Sequence, residues 1–130
     1  MIQFDQTLLE KALGDLIRGL GVSENVYPSR PRSSASDLKD FVVCHVSGMV
    51  RDDAAYGVCD VEISLFARDV SNMKNSPKLS VMQGKLKTLP AEIGSFVFDL
   101  RGMHTVGDSS DGNGYHVRIV QLRKVIIKIV

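Results

Sequence analysis

The sequence predicts an α+β domain, a mostly antiparallel sheet of two long hairpins with two helices packed on it. Three observations carry this. Residues 41–68, FVVCHVSGMVRDDAAYGVCDVEISLFAR, read as two long strands joined by the charged tip Arg51-Asp52-Asp53. Residues 5–20 and 76–89 space their apolar side chains at the helical period. The elements follow in the order helix, hairpin, helix, hairpin, so that the hairpins supply antiparallel pairs and the helices cover one face. The 130 residues fit a single domain, 1–130. With 44% hydrophobic and 24% charged residues, one core can be buried without metals or disulfide staples.

In the first helix, Leu8, Leu9, Ala12, Leu13, Leu16, Ile17 and Leu20 recur at i, i+3, i+4 spacing, a wide apolar side suited to a sheet. Asp5 can cap the first turn, with Phe4 and Leu9 at the staple positions; Thr7 and Glu10 form a competing capping box. Gly19 and Gly21 end the helix. Val26-Tyr27 has the composition of a short strand. The stretch PSRPRSSASD that follows, rich in serine and proline, reads as a loop, either a solvated connector or an arm reaching a neighbouring subunit.

In the first long strand, Val42, Cys44 and Val46 share one face, and Phe41, Val43, His45 and Met49 the other. Apolar groups on both faces predict a central strand. Residues 51–57 exceed a two-residue turn and predict a protruding loop. In the second strand, residues 58–68, Cys59, Val61, Ile63, Leu65 and Ala67 alternate with Asp60, Glu62, Ser64 and Arg68, so one face is core and the other wet or turned to a polar partner.

Residues 69–75 read as a connector. Ser76 as N-cap and Pro77 at the first helical position open the second helix, Leu79, Met82, Leu86 and Leu89 form its stripe, and Pro90 stops it. Lys78 and Lys85 lie one above the other beside that stripe. Residues 95–103 predict a strand with Phe96, Phe98 and Leu100 on one face, residues 104–114 a turn-rich loop, and residues 115–130 a long final strand. In the last, Val117 and Ile119 share one parity, Val120 and Leu122 the other, and Val125, Ile127 and Ile129 return to the first. Such a phase change predicts a bulge near residues 121–124.

Net charge is +1, which argues against a protein whose main partner is a polyanion. Aromatic residues are 6%, with no tryptophan, too sparse for a base-stacking surface, so direct nucleic-acid binding is disfavoured. No apolar run reaches the roughly 20 residues of a membrane helix. Met1 to Asp5 has neither the basic nor the apolar region of a secretory leader. With two cysteines, Cys44 and Cys59, this predicts a cytoplasmic protein with free thiols that pack as small hydrophobes.

No constellation for chemistry emerges. His45, His104 and His116 have no second ligand at metal spacing. Residues 108–113, DSSDGN, have the composition of a calcium loop but fail its spacing and lack the following glutamate, so a hairpin turn is the simpler reading. Gly94-Ser95-Phe96 is not a nucleophile elbow, and no glycine-rich phosphate loop follows a strand. No cofactor, metal or catalytic residue is predicted.

Charge is unevenly laid out. Residues 41–69 hold five acids, among them Asp52, Asp53, Asp60 and Glu62, against two bases; residues 70–90 and 112–130 hold only bases, among them Lys78, Lys85, Arg118, Arg123 and Lys124. Solvated surface charge and gatekeeping of a sticky strand explain this without function. Head-to-tail association, acidic patch to basic patch, is the sharper reading, and such contacts close into rings where the rotation permits.

The order of elements resembles one family. A helix, Val26-Tyr27-Pro28, a loop, a strand FVVCHVSG, a charged tip, a strand VEISLFARD, an amphipathic helix and two further strands are similar to the tail-terminator and tail-completion (neck) proteins of long-tailed phages and prophages. The likeness spans most of the chain but rests on ordering, with no invariant signature. It implies a non-enzymatic structural subunit that forms a ring, a hexamer, capping the tail tube and joining it to the head. The implied partners are other copies of itself, tail-tube proteins and head-tail connector proteins. The implied locations are the host cytoplasm during assembly and the virion tail afterwards. The loops 29–40, with Arg30 and Arg32, and 51–55, with Arg51, Asp52 and Asp53, match places where such proteins meet neighbours. With Glu62 and the five bases Lys78, Lys85, Arg118, Arg123 and Lys124 they make up the candidate interface. The competing classes are a small binding or accessory domain of a mobile element and an enzyme with scattered catalytic residues.

Overall fold

The computed structural model describes residues 6–27, 38–46, 51–52, 56–93, 96–98 and 100–128. These form two helices and an eight-stranded, mostly antiparallel sheet, the predicted α+β class. The elements are α1 (Gln6–Gly19), β1 (Val26–Tyr27), β2 (Asp40–Val46), β3 (Arg51–Asp52), β4 (Tyr56–Arg68), α2 (Ser76–Leu86), β5 (Glu92–Ile93), β6 (Phe96–Val97), β7 (His104–Ser110) and β8 (Tyr115–Lys128). The sheet runs β1-β2-β4-β8-β6-β5, with β3 added beside β4 and β7 beside β8. Among the described strands, only β1 and β2 pair in parallel.

The long ladder between β4 and β8, from Tyr56↔Lys128 to Arg68↔Tyr115, is the spine. Both helices lie on one face of it. Leu9, Leu13 and Ile17 of α1 and Leu79, Met82 and Leu86 of α2 are fully buried against Val42, Cys44, Val61, Ile63, Leu65, Val120 and Leu122. Those sheet residues are the alternating set read from the sequence, because the pleat sends every second side chain to the same side.

The predicted bulge is present. Cys59 faces Val125 and Val61 faces Leu122, so Asp60 alone opposes Arg123 and Lys124. The extra residue restores phase: Val125 joins Val120 and Leu122 in the same core although its parity differs.

The end of α1 is a Schellman motif. Val22 N–H donates to Ile17 O (3.3 Å) and Gly21 N–H to Arg18 O (3.0 Å), with Gly21 at φ +77°. The expected caps Phe4, Asp5 and the Thr7 box fall on residues 1–5 or on side chains outside the described set.

Four expectations are corrected. The N-cap of α2 is Asn75, whose Oδ1 accepts from Lys78 N–H (3.3 Å), and Ser76 and Pro77 are already helical. The loop expected over 51–57 is shorter, because Arg51 and Asp52 continue the hairpin opposite Val58 and Gly57. Of the strand expected over 95–103, the described residues show β6 and then a 3-10 turn at Leu100–Gly102; Phe98 is still buried, and its N–H donates to Ala91 O (2.8 Å). Most of the loop expected over 104–114 is a strand. β7 runs beside β8 from His104↔Gln121 to Ser110↔His116, bulged at Val106. Its residues have weak β propensity, and the neighbouring strand supplies the pairing that propensity does not.

The face away from the helices has its own small core. Phe41 is fully buried there, stacked on Phe66 (4.3 Å between centroids) and edge-on to Tyr115 (5.3 Å). The Tyr115 hydroxyl donates to Leu38 O (2.7 Å). Aromatic contacts of this kind add about 0.5–1.5 kcal/mol per pair beyond the area they bury.

Candidate interface surfaces

The candidate residues divide by what the structure does with them. Arg30, Arg32 and Asp53 lie outside the described residues. Arg51 and Asp52 are placed by register on the short extension β3, at the far end of the hairpin from Phe41. Arg123 and Lys124 occupy the β8 bulge opposite Asp60. The acidic hairpin and the basic final strand, well separated in sequence, are therefore neighbours within one sheet.

Glu62 is on the face that carries no helix. By register it sits between His45 of β2 and Gln121 of β8, and Gln121 faces His104 of β7. These four residues form a polar row across four strands. Glu62 is part-buried and His45 exposed, whereas Phe41, Phe66, Tyr115 and Val117 at the other end of the same face are buried. The wet face foreseen for the second strand is thus half wet and half aromatic.

Lys78, Lys85 and Arg118 are engaged inside the chain. Lys78 Nζ lies 3.0 Å from Asp40 Oδ2. Lys85 Nζ donates to Gly21 O (3.1 Å) at the C-terminal end of α1, where a helix dipole favours a cation. Arg118 Nε donates to Asp108 Oδ2 (3.1 Å) and its NH1 to Gln83 Oε1 (3.1 Å). Lys74 Nζ completes that cluster, 2.6 Å from Asp108 Oδ1. Burial works to raise the Asp108 pKa, but the hydrogen bonds and charges of Lys74 and Arg118 outweigh it and hold the carboxyl below its ordinary value. Together these contacts fasten α2 to α1, to the start of β2 and to the β7–β8 hairpin.

Asp40 is a second junction. Ser23, the one buried polar residue described, donates through Oγ to Asp40 Oδ1 (2.5 Å) and accepts the Asn25 N–H (3.1 Å). The Asn25 amide in turn donates to Asp40 O (3.2 Å). These bonds tie the turn after α1 to the start of β2. His116 Nδ1 lies 2.6 Å from Asp69 Oδ1, bracing the end of β4 against β8. Cys44 and Cys59 are free and buried. Burial, then the charge of Glu10, pushes the Cys44 thiol up to about 12; burial, then Asp60, pushes Cys59 up to about 11. Thiols so shifted are poor nucleophiles.

Among the described residues no group of three or more His, Cys, Asp or Glu side chains is arranged to hold a metal ion. No buried side-chain nitrogen or oxygen among them lacks a partner. No described helix is long and apolar enough to cross a membrane. No family model matches the chain, and no curated protein sequence matches it.

Sequence reasoning missed the Asp108 cluster, the Asp40 junction and one surface feature, a two-residue hairpin at 70–73. Val70 and Met73 exchange both backbone hydrogen bonds (2.9 and 3.0 Å), and Ser71 and Asn72 both have positive φ (52° and 61°). Such turns favour Asn-Gly; the Ser-Asn pair carries little of that signal.

Proposed function

We propose that this chain is a non-enzymatic assembly subunit, a tail-terminator or head-tail joining protein of a long-tailed phage or prophage, acting as a ring. The observation that carries the reading is the order of elements: a helix, a short strand, a long hairpin with a charged tip, a second helix, and then the short β5–β6 and the longer β7–β8 hairpins. The helix-covered core and the aromatic cluster of the opposite face supply the fold's stability, and on this reading the hairpin tip, with exposed His45 and part-buried Glu62, meets neighbours and tail-tube and connector proteins. The mechanism is geometric. A closed ring presents one surface to the tube end and another to the connector, and its binding occludes further polymerisation.

A small binding or accessory domain is the second reading. It is favoured by the internal engagement of Lys78, Lys85 and Arg118, which removes three cations from a head-to-tail charge account. Electron microscopy of the purified protein, alone and with tail tubes, separates the two. Rings of about six subunits, the closed symmetry expected of repeated head-to-tail contacts, support the terminator. A strict monomer in both conditions sinks it.

A further inference from the structure

The β7–β8 hairpin closes through the turn Asp111-Gly112-Asn113-Gly114-Tyr115, with Asp111 N–H donating to Tyr115 O (2.9 Å). The other donors of this turn are unevenly engaged. Gly112 N–H donates to Ser110 Oγ (3.1 Å), and Asn113 N–H (2.7 Å) and Tyr115 N–H (3.1 Å) both donate to Asp111 Oδ1. Between them, the Gly114 N–H has no acceptor among the described residues, and no described residue holds the Asn113 carboxamide. Asn113 and Gly114 are both exposed. The other asparagines are placed differently. Asn25 donates through its amide to Asp40 O (3.2 Å), Asn75 Oδ1 accepts the Lys78 N–H (3.3 Å), and Asn72 is followed by the bulky Met73. Of the four asparagines in the chain, Asn113 alone precedes a glycine.

We infer that Asn113–Gly114 is a site of spontaneous deamidation and chain isomerisation. Gly114 carries no Cβ to block the approach of its nitrogen to the neighbouring side chain, and neither reacting group is held away by a hydrogen bond. Water or hydroxide takes the Gly114 amide proton, and the nitrogen attacks Asn113 Cγ. The new N–Cγ bond closes a succinimide ring, and the Cγ–NH2 bond breaks with loss of ammonia. Water then opens the ring. Breaking the N–Cγ bond leaves aspartate at the position; breaking the bond from nitrogen to the main-chain carbonyl leaves isoaspartate, with the chain running through the former side chain. In sum a water is consumed and an ammonia released, with no change of oxidation state. The consequence reaches beyond the turn. Gly114 O accepts the Asp69 N–H (2.8 Å), and the isoaspartyl form adds a methylene to the backbone beside that contact. It therefore loosens the tie between the end of β4 and the β7–β8 hairpin.

The test incubates the purified full chain at mildly alkaline pH. It follows ammonia release, the mass of the peptide spanning residues 113–114, and the labelling of that peptide by a carboxyl methyltransferase specific for isoaspartate. Wild type is expected to release ammonia and to acquire the label in that peptide, with Asn25 and Asn75 intact. Asn113→Gln, whose longer side chain would have to close a larger ring, is expected to do neither. Because both groups are free in the fold, the native chain is expected to react at close to the rate of the chain in urea. A native rate about tenfold or more below the rate in urea means that the turn protects the bond, and it overturns the inference. Equal ammonia release from wild type and Asn113→Gln overturns it as well. The isoaspartyl fraction is expected to unfold at lower urea than fresh protein, and an unchanged midpoint overturns the loosening of the Asp69 tie.

Discussion

Asp108 and Arg118, cross-strand partners on β7 and β8, meet through Oδ2 and Nε at 3.1 Å, and the same guanidinium reaches Gln83 on α2. One arginine thereby joins an edge strand, the central sheet and a helix. The arginine side chain is 14% exposed and that of Asp108 27%, so solvent screens the pair in part.

Asp108→Asn is expected to destabilise the protein by about 1 kcal/mol at neutral pH, the scale of a charge-assisted hydrogen bond discounted for partial exposure. The Asp108 pKa is lowered from its ordinary 3.8 in the fold, so its contribution is full above that value and is lost as pH falls through the lowered one. Urea melts at pH 7 and pH 3 should therefore show the gap between wild type and Asp108→Asn narrowing in acid.

Phe41→Ala should cost about 3–5 kcal/mol, the price of an emptied aromatic site. A residue on a solvent-facing sheet surface would cost within about 0.5 kcal/mol. Equilibrium denaturation distinguishes the two, and Phe41→Leu should fall between.

Two glycines should respond in opposite senses. A Cβ at Gly84 in α2 meets nothing within 4 Å, so Gly84→Ala should stabilise by up to about 1 kcal/mol. Gly21 has φ +77° in the cap of α1, and Gly21→Ala should destabilise by about 1–2 kcal/mol. Shifts of the denaturation midpoint report both.

Cys44 and Cys59 should resist thiol reagents at pH 8 in the native state and react at the rate of opening when denaturant is added. The Cys44 pKa is raised from 9.0 to about 12, so folding retains its proton where the unfolded chain loses it. That contribution is whole below pH 9 and declines as pH climbs toward 12.

Reversing the tip charges with Asp52→Lys and Asp53→Lys should reduce ring formation and tail joining if the hairpin tip is an interface. Particle counts by microscopy give the answer, and unchanged assembly takes the tip out of the contact set.

Within the chain, the pattern of local periodicity determined a great deal. The two helices, the alternating faces of β2 and β4, and the bulge in β8 follow from where apolar residues recur, because a pleat has period 2, a helix 3.6, and a broken phase needs an extra residue. Val125 rejoining Val120 and Leu122 is the clearest case. Tertiary structure alone decided the rest. β7 exists because β8 lies beside it, not because HTVGDSS favours a strand. Phe66 and Phe41 are buried on the face without helices because they stack on each other across strands. Lys78, Lys85 and Arg118, free charges when read along the chain, find Asp40, Gly21 and Asp108 once helix and sheet pack. Such pairings are set by distances between residues far apart in sequence, and no local pattern encodes them.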